Sequence, residues 1–285
     1  MDRIIGSRTF DFDRQVAVMA IINRTPDSFF DKGATFALDR AVEAALAADA
    51  AGADWVDIGG VPFGRGDPVS LAEELDRVVP VIAAIHARSD VVISVDTTNA
   101  EVARLSIEAG ASVINDTSGC SDPGMAGVVA ASNATLVLTH SNGVPRSEPQ
   151  SPHYDDVIRE VVDFLRDRVR QSEAAGIPRN RLIIDPGHDL NKNTVHTLEI
   201  TRRLQEIAAI GLPTLAAVSN KDFIGECIDR EQGQRQSGTI AAAVICIMNG
   251  ARIVRMHDVP AAVDAVRLTE VVLGFRQPVH ARHNV

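Results

Sequence analysis

Eight short apolar runs recur along the chain, and each ends in polar side chains. They are VAVMAIIN (16–23), ADWVDIGG (53–60), VVISVDT (91–97), SVINDTSG (112–119), ATLVLTH (134–140), LIIDPG (182–187), PTLAAVSN (213–220) and ARIVRMHD (251–258). Several are apolar at consecutive rather than alternate positions, which fits strands covered on both faces. Between them, stretches such as LDRAVEAALAADAAG, SLAEELDRVVPVIAAIHAR and DDVIREVVDFLRDRVRQSEAAG carry apolar residues at helical spacing. Strand then helix, repeated eight times, predicts an α/β fold of the (β/α)8 TIM barrel type. Gly52, Gly110, Gly176, Gly211 and Gly250 each follow a helical stretch and precede a strand, where a left-handed C-cap is expected. An open doubly wound sheet is the competing arrangement, but no glycine-rich dinucleotide fingerprint follows the first run and no GxxxxGK[ST] motif occurs.

The length of 285 residues suits a single barrel domain over 1–285, with the ends at about 1–12 and 276–285 expected to fray. A formal net charge of -10 argues against a broad phosphate-backbone surface, so nucleic acid is not an expected partner. One local basic pocket for a small anion remains compatible with it. Cys120, Cys227 and Cys246 are far apart and form no metal-type pair, which points to free thiols in a reducing, cytoplasmic compartment. The charged start and the lack of any run of about 18 apolar residues give no sign of secretion or of membrane spanning. SNGVPRSEPQSPH and EQGQRQSG read as irregular loops, and His280 and His283 as tail residues.

In a barrel of this kind the carboxyl ends of the strands carry chemistry. The eight runs end in Asn23; Asp57; Asp96; Asn115 and Asp116; His140; Asp185; Ser219 followed by Lys221; and Arg255 with His257. Any one of these alone reads as a turn former or a hydrogen-bonded rim residue. Acids, amides and bases converging from all eight directions read as a ligand site. Lys221, Arg255 and His257 can clamp a phosphate or diphosphate. Asp96, Asn115 and Asp185 offer acceptors and an amide to a flat heterocycle rich in N–H donors.

The order and spacing of NRTPDSFFDKG, DIGG, SVDT, INDTSG, IIDPG, SNKDF and RMHD resemble those of the dihydropteroate synthase family, from Val16 to about Phe275. That family joins p-aminobenzoate to 6-hydroxymethyl-7,8-dihydropterin diphosphate. The resemblance implies Asp96, Asn115 and Asp185 as pterin contacts with Lys221 beside them, and Asn23, Arg255 and His257 as diphosphate contacts. It places Mg²⁺ at Asn23, where a small hard cation would neutralise the leaving group. It also implies that Asp31 on the first loop stabilises a pterin cation, with Lys221 and Arg255 as the other catalytic groups, and that Phe29 and Ser219 border p-aminobenzoate. Sulfonamides and sulfones are expected analogues of that substrate, and a homodimer is the expected assembly.

The departures are equally specific. Where the family continues DIGG with Glu-Ser-Thr-Arg-Pro-Gly, this chain reads VPFGRG: Phe63 stands for Thr, Gly64 for Arg, and Arg65 lies one position late. Thr139 replaces a Met beside His140, Asp189 and Leu190 replace Gly-Phe, and Asn220 replaces the Arg of Ser-Arg-Lys. His188 is unusual in its segment and reads as a loop residue. Loss of a charge-assisted contact removes about 1.5–3 kcal/mol, and loss of a donor serving the transition state about 10²-fold in rate. The chain therefore reads as a divergent paralogue with a retained pterin floor and weak or absent synthase activity. Two alternatives stand beside it: a working synthase in which Arg65 substitutes for the missing loop, and a non-catalytic pterin-binding protein. A pterin-linked methyl transferase is a poorer match to NRTPDSF.

Overall fold

A computed structural model of the chain describes residues 2–24, 37–62, 66–142 and 151–283. After a hairpin of β1 (Asp2–Ile5) and β2 (Arg8–Asp11), every run expected to be a strand is one: β3 (Ala17–Asn23), β4 (Trp55–Gly59), β5 (Val92–Asp96), β6 (Val113–Asp116), β7 (Thr135–Thr139), β8 (Leu182–Asp185), β9 (Thr214–Ala216) and β10 (Ala251–Met256). These eight pair in parallel and in sequence order, and β10 closes the ring by pairing with both β9 and β3. The helices between them are α1 (Leu38–Ala50), α2 (Leu71–His86), α3 (Ala100–Glu108), α4 (Met125–Ala130), α5 (Val157–Ala174), α6 (Thr194–Arg202), α7 (Leu204–Ala208), α8 (Asp222–Ile228) and α9 (Gln236–Met248), with α10 (Val259–Val272) after β10. The fold is the (β/α)8 barrel.

Strand alternation explains both the continuous apolar runs and the polar mouth. Outward side chains such as Val56, Ile58, Ile93, Val95, Leu136 and Leu138 pack beneath the helices. Inward side chains at the amino end, among them Trp55, Val92, Val113, Val137, Ile183 and Ile253, form a second apolar cluster inside the barrel. Because successive residues of a strand face opposite sides, the next inward positions are Asp57, Ser94, Asn115, Thr139, Asp185 and Arg255. The barrel is thus dry at one end and polar at the other. The five glycines expected to cap helices have φ between 81° and 119°, the left-handed conformation that ends a helix without a Cβ clash.

The amino end corrects one expectation. Residues 2–12 do not fray; the β1–β2 hairpin lies across the floor of the barrel, leaving Ile5 2%, Phe10 1% and Phe12 6% exposed. Phe10 stacks on Phe12 with ring centroids 5.6 Å apart and meets Trp55 edge-on at 5.7 Å. Arg3 donates to the Leu182 carbonyl (2.8 Å) and Arg8 to the Asp90 carbonyl (2.9 Å), which fixes the hairpin to two strand entrances. Each strand has only four residues, two of them charged, so its few buried positions have meaning only against a floor that the rest of the chain builds. At the other end, residues 277–283 are exposed and lie in no helix or strand. Among the described residues no helix is long and apolar enough to cross a membrane, and the three cysteines are free.

Candidate functional site

The polar end of the barrel is organised around Asp57, which is fully buried. Its Oδ1 accepts from Ser94 Oγ (2.5 Å), and its Oδ2 accepts from Arg255 Nε (2.7 Å) and Asn115 Nδ2 (3.1 Å). Arg255 reaches on to Asp96 Oδ2 (3.2 Å). Four strands, β4, β5, β6 and β10, are therefore joined by one hydrogen-bonded charge network. Burial works against the Arg255 charge, but Asp57 and Asp96 outweigh it and raise its pKa. Burial pushes the Asp96 carboxyl up to about 7 despite Arg255, and the neighbouring acids Asp57, Glu74 and Asp116 add to the rise. Since 27% of the Asp96 side chain is exposed, water tempers that rise. Asn115 donates to Asp57, but its buried Oδ1 has no partner among the described residues.

On the other side, Asp185 ends β8 with its Oδ1 accepting from the Gly187 amide (2.7 Å). Burial raises its pKa to about 6, with the Gly187 amide, Lys221 and Lys192 opposing. A Cβ at Gly187, whose φ is 69°, would lie 2.1 Å from the His140 carbonyl oxygen, so the loop can pass there only as glycine. Lys192 is buried in the same loop and donates to the carbonyls of His140, Gly187 and Leu190 at 3.2, 2.9 and 2.8 Å. Burial lowers its pKa to about 7. Lys221 donates to the His188 carbonyl (3.1 Å), and burial lowers its pKa while Asp189 resists most strongly. His140 and His188 are buried and pushed down to about 3, so both are neutral rings. Ser219 Oγ meets His257 Nδ1 at 2.8 Å.

One helix holds the roots of three neighbouring loops. Pro80 inside α2 has no N–H to give the Asp76 carbonyl, four residues back, and Arg24, immediately after the first barrel strand, donates to that carbonyl (2.5 Å) and to the next (2.9 Å). Arg77 donates to the Gly60 carbonyl (2.7 Å) just before the second loop, and Glu74 accepts from Thr97 Oγ1 (2.6 Å) just after β5. The turn of α2 facing the barrel thus sets where residues 24, 60 and 97 leave their strands.

Residues 19–257 match the pterin binding enzyme family. The chain is a member of that family. It is 42% identical over 284 residues to the inactive dihydropteroate synthase 2 of Mycobacterium leprae (strain TN), covering 98% of this chain and 97% of that protein. It is 40% identical over 261 residues to the dihydropteroate synthase of Escherichia coli (strain K12), covering 91% and 93%. Among solved structures, the Yersinia pestis dihydropteroate synthase with a sulfonamide drug complex superposes with a TM-score of 0.92 at 38% identity, covering 97% of this chain and all of that one. The Xanthomonas albilineans dihydropteroate synthase in complex with 7,8-dihydropteroate gives 0.83 at 36% identity, covering 95% and 98%. This protein is a dihydropteroate synthase homologue.

Within that family the residues expected at the mouth fall as follows. Asn23, Asp96, Asn115, Asp185, Ser219, Lys221, Arg255 and His257 all lie at or just beyond the carboxyl ends of barrel strands. Asn23 Oδ1 faces Gly59, where a Cβ would stand 3.3 Å from it. Phe29, Asp31, Phe63, Gly64 and Arg65 lie outside the described residues. Thr139 is fully buried, its Oγ1 without a partner among the described residues, and Leu190 serves the site through its carbonyl on Lys192. Asn220 sits at φ 58°, its amide nitrogen donating to Thr239 and its Oδ1 accepting from Gly233, so it braces the loop after β9. Asp57 and Lys192 were absent from the expected ligand set. Asp57 was visible as the end of DIGG, but its place at the centre of the network needed the register of four strands.

Proposed function

We propose that this barrel binds a pterin on the floor formed by Asp96, Asn115 and Asp185 with Lys221 beside it, and that its dihydropteroate synthase activity is weak or absent. The observation that carries the reading is the buried Oδ1 of Asn115, which finds no partner among the described residues although its amide nitrogen is held in the Asp57 network. A buried acceptor without a donor costs about 1–3 kcal/mol, which a ligand N–H recovers on binding. Asp185 adds a carboxylate for further N–H donors. The related structures bound to 7,8-dihydropteroate, 4-aminobenzoic acid and a sulfonamide support the same ligand classes here.

The weakness of transfer rests on the chain's own substitutions. Gly64 and Asn220 bring no guanidinium to the mouth, and Phe63 removes a hydroxyl. A transferase of this kind needs donors aimed at the departing diphosphate, and binding the pterin equally in ground and transition states accelerates nothing. Retention of Lys221, Arg255 and His257 favours the second reading, a synthase in which Arg65 takes over. Isothermal titration with the pterin diphosphate, followed by p-aminobenzoate with Mg²⁺ and product analysis, separates the two. We expect heat without turnover comparable to an intact synthase; full turnover overturns the reading. If Arg65 suffices, restoring Thr and Arg at Phe63 and Gly64 changes little.

Mg²⁺ fits this site only as a companion of a phosphorylated ligand. Among the described residues no cluster of three acidic, histidine or cysteine side chains could hold a metal, and Asn23 offers a single neutral oxygen. Asn23 would hold the ion, whose other ligands would be phosphate oxygens and water, and the ion would neutralise leaving-group charge. A cytoplasmic setting agrees with the three free thiols. A homodimer agrees with the neighbouring helices α9 and α10, which expose Ile245, Met248, Leu268 and Val272 by 48–67%.

A further inference from the structure

The loop after β8 carries an acid where the family resemblance implies glycine, and the structure shows what that acid does. Asp189 adopts φ 62° and turns its carboxylate toward the start of α8. Its Oδ2 accepts from the amides of Asp222 (2.9 Å) and Phe223 (3.5 Å), and its Oδ1 accepts from Thr197 Oγ1 (3.0 Å). Lys221, the N-cap residue of α8, makes no side-chain cap of its own, so Asp189 caps the helix from another loop. Among the acids around Lys221, Asp189 supports its charge more than Asp185 or Asp96 does. The carboxylate therefore takes the first amides of α8, immediately beyond Lys221.

Other cations among the described residues are also committed. Arg255 is paired with Asp57 and Asp96, and Lys192 is enclosed by three carbonyls. Arg235 donates to the Asn220 carbonyl and pairs with Asp222 at 2.8 Å behind the loop. Among the described residues, Asp189 therefore adds one carboxylate beside Lys221 that a glycine at this position would not supply.

We propose that Asp189 is a built-in anion that makes this mouth select pterins with an uncharged side chain, such as the hydroxymethyl alcohol, over the diphosphate ester. The inference rests on the pterin reading above and deepens it by naming the ligand class. The floor of Asp96, Asn115 and Asp185 recognises the ring in either case. The diphosphate adds at least two negative charges that must compete with Asp189 for Lys221.

The test is isothermal titration of the full chain with 6-hydroxymethyl-7,8-dihydropterin and with its diphosphate, each in the presence of Mg²⁺, repeated on Asp189→Asn. Asparagine keeps an oxygen for the α8 amides and removes the charge, and unchanged circular dichroism and melting confirm the fold. The expected result is alcohol binding at least about tenfold tighter than diphosphate, with the ratio shrinking by about tenfold or more in Asp189→Asn, as one unit charge nearby allows. Diphosphate binding as tight as the alcohol in the unaltered protein, or a ratio indifferent to Asp189→Asn, overturns the selection while leaving the pterin reading intact. Failure of both pterins to bind the unaltered protein overturns the pterin reading and this inference with it.

Discussion

Asp57 and Arg255 show how a residue set can be legible while its internal order is not. The sequence places both at strand ends, and the resemblance names Arg255 for a diphosphate. The fold instead commits Arg255 first to Asp57 and Asp96, at 2.7 and 3.2 Å. Replacing Asp57 by Ala leaves Arg255 and Asn115 without their common acceptor in a buried position, so we expect a loss of about 3 kcal/mol in urea unfolding. Asp185 supplies a pH signature. Its folded pKa is raised from 3.8 to about 6, so its contribution to stability is complete below about pH 4 and is lost as pH rises through 6. Asp185→Asn removes that dependence. Relative to the parent, the variant should gain about 3 kcal/mol between pH 3 and pH 8, read from paired denaturation curves. A constant difference across that window contradicts the assignment.

At the scale of elements, the strands were legible because their two-sided burial leaves consecutive apolar letters. The helix ends were legible because Gly52, Gly110, Gly176, Gly211 and Gly250 occupy a conformation other residues resist. What α2 does was not legible. A proline in mid-helix ordinarily argues for a break, and only the approach of Arg24 from a distant loop shows why Pro80 is accommodated. The same helix fixes Gly60 through Arg77, whose residue is 7% exposed. Arg77→Met keeps the aliphatic stem and removes the donor. We expect a stability loss of about 2 kcal/mol, and a weakened pterin affinity if the roots at residues 60 and 97 move together. Unchanged melting and binding would separate α2 from the mouth.

At the scale of the molecule, the barrel and its polar mouth were predictable from eight runs and their endings, whereas the hairpin that seals the floor was not. Its few apolar letters look like noise until Trp55 and the inward residues of the other strands surround them. Phe10→Ala should therefore cost about 3–5 kcal/mol although Phe10 lies in a segment whose composition suggests a loose end; urea unfolding measures it. The exposed stripe on α9 and α10 carries a second whole-molecule expectation: Leu268→Asp should shift a dimer to monomer in sedimentation analysis with the fold retained. The ring itself has a temporal consequence. The last barrel strand lies against the first, so the seat for the aromatic hairpin does not exist until β10 has emerged from the ribosome. Two phenylalanines made long before β10 must wait for it uncovered, and in that interval they are open to chaperones and to aggregation.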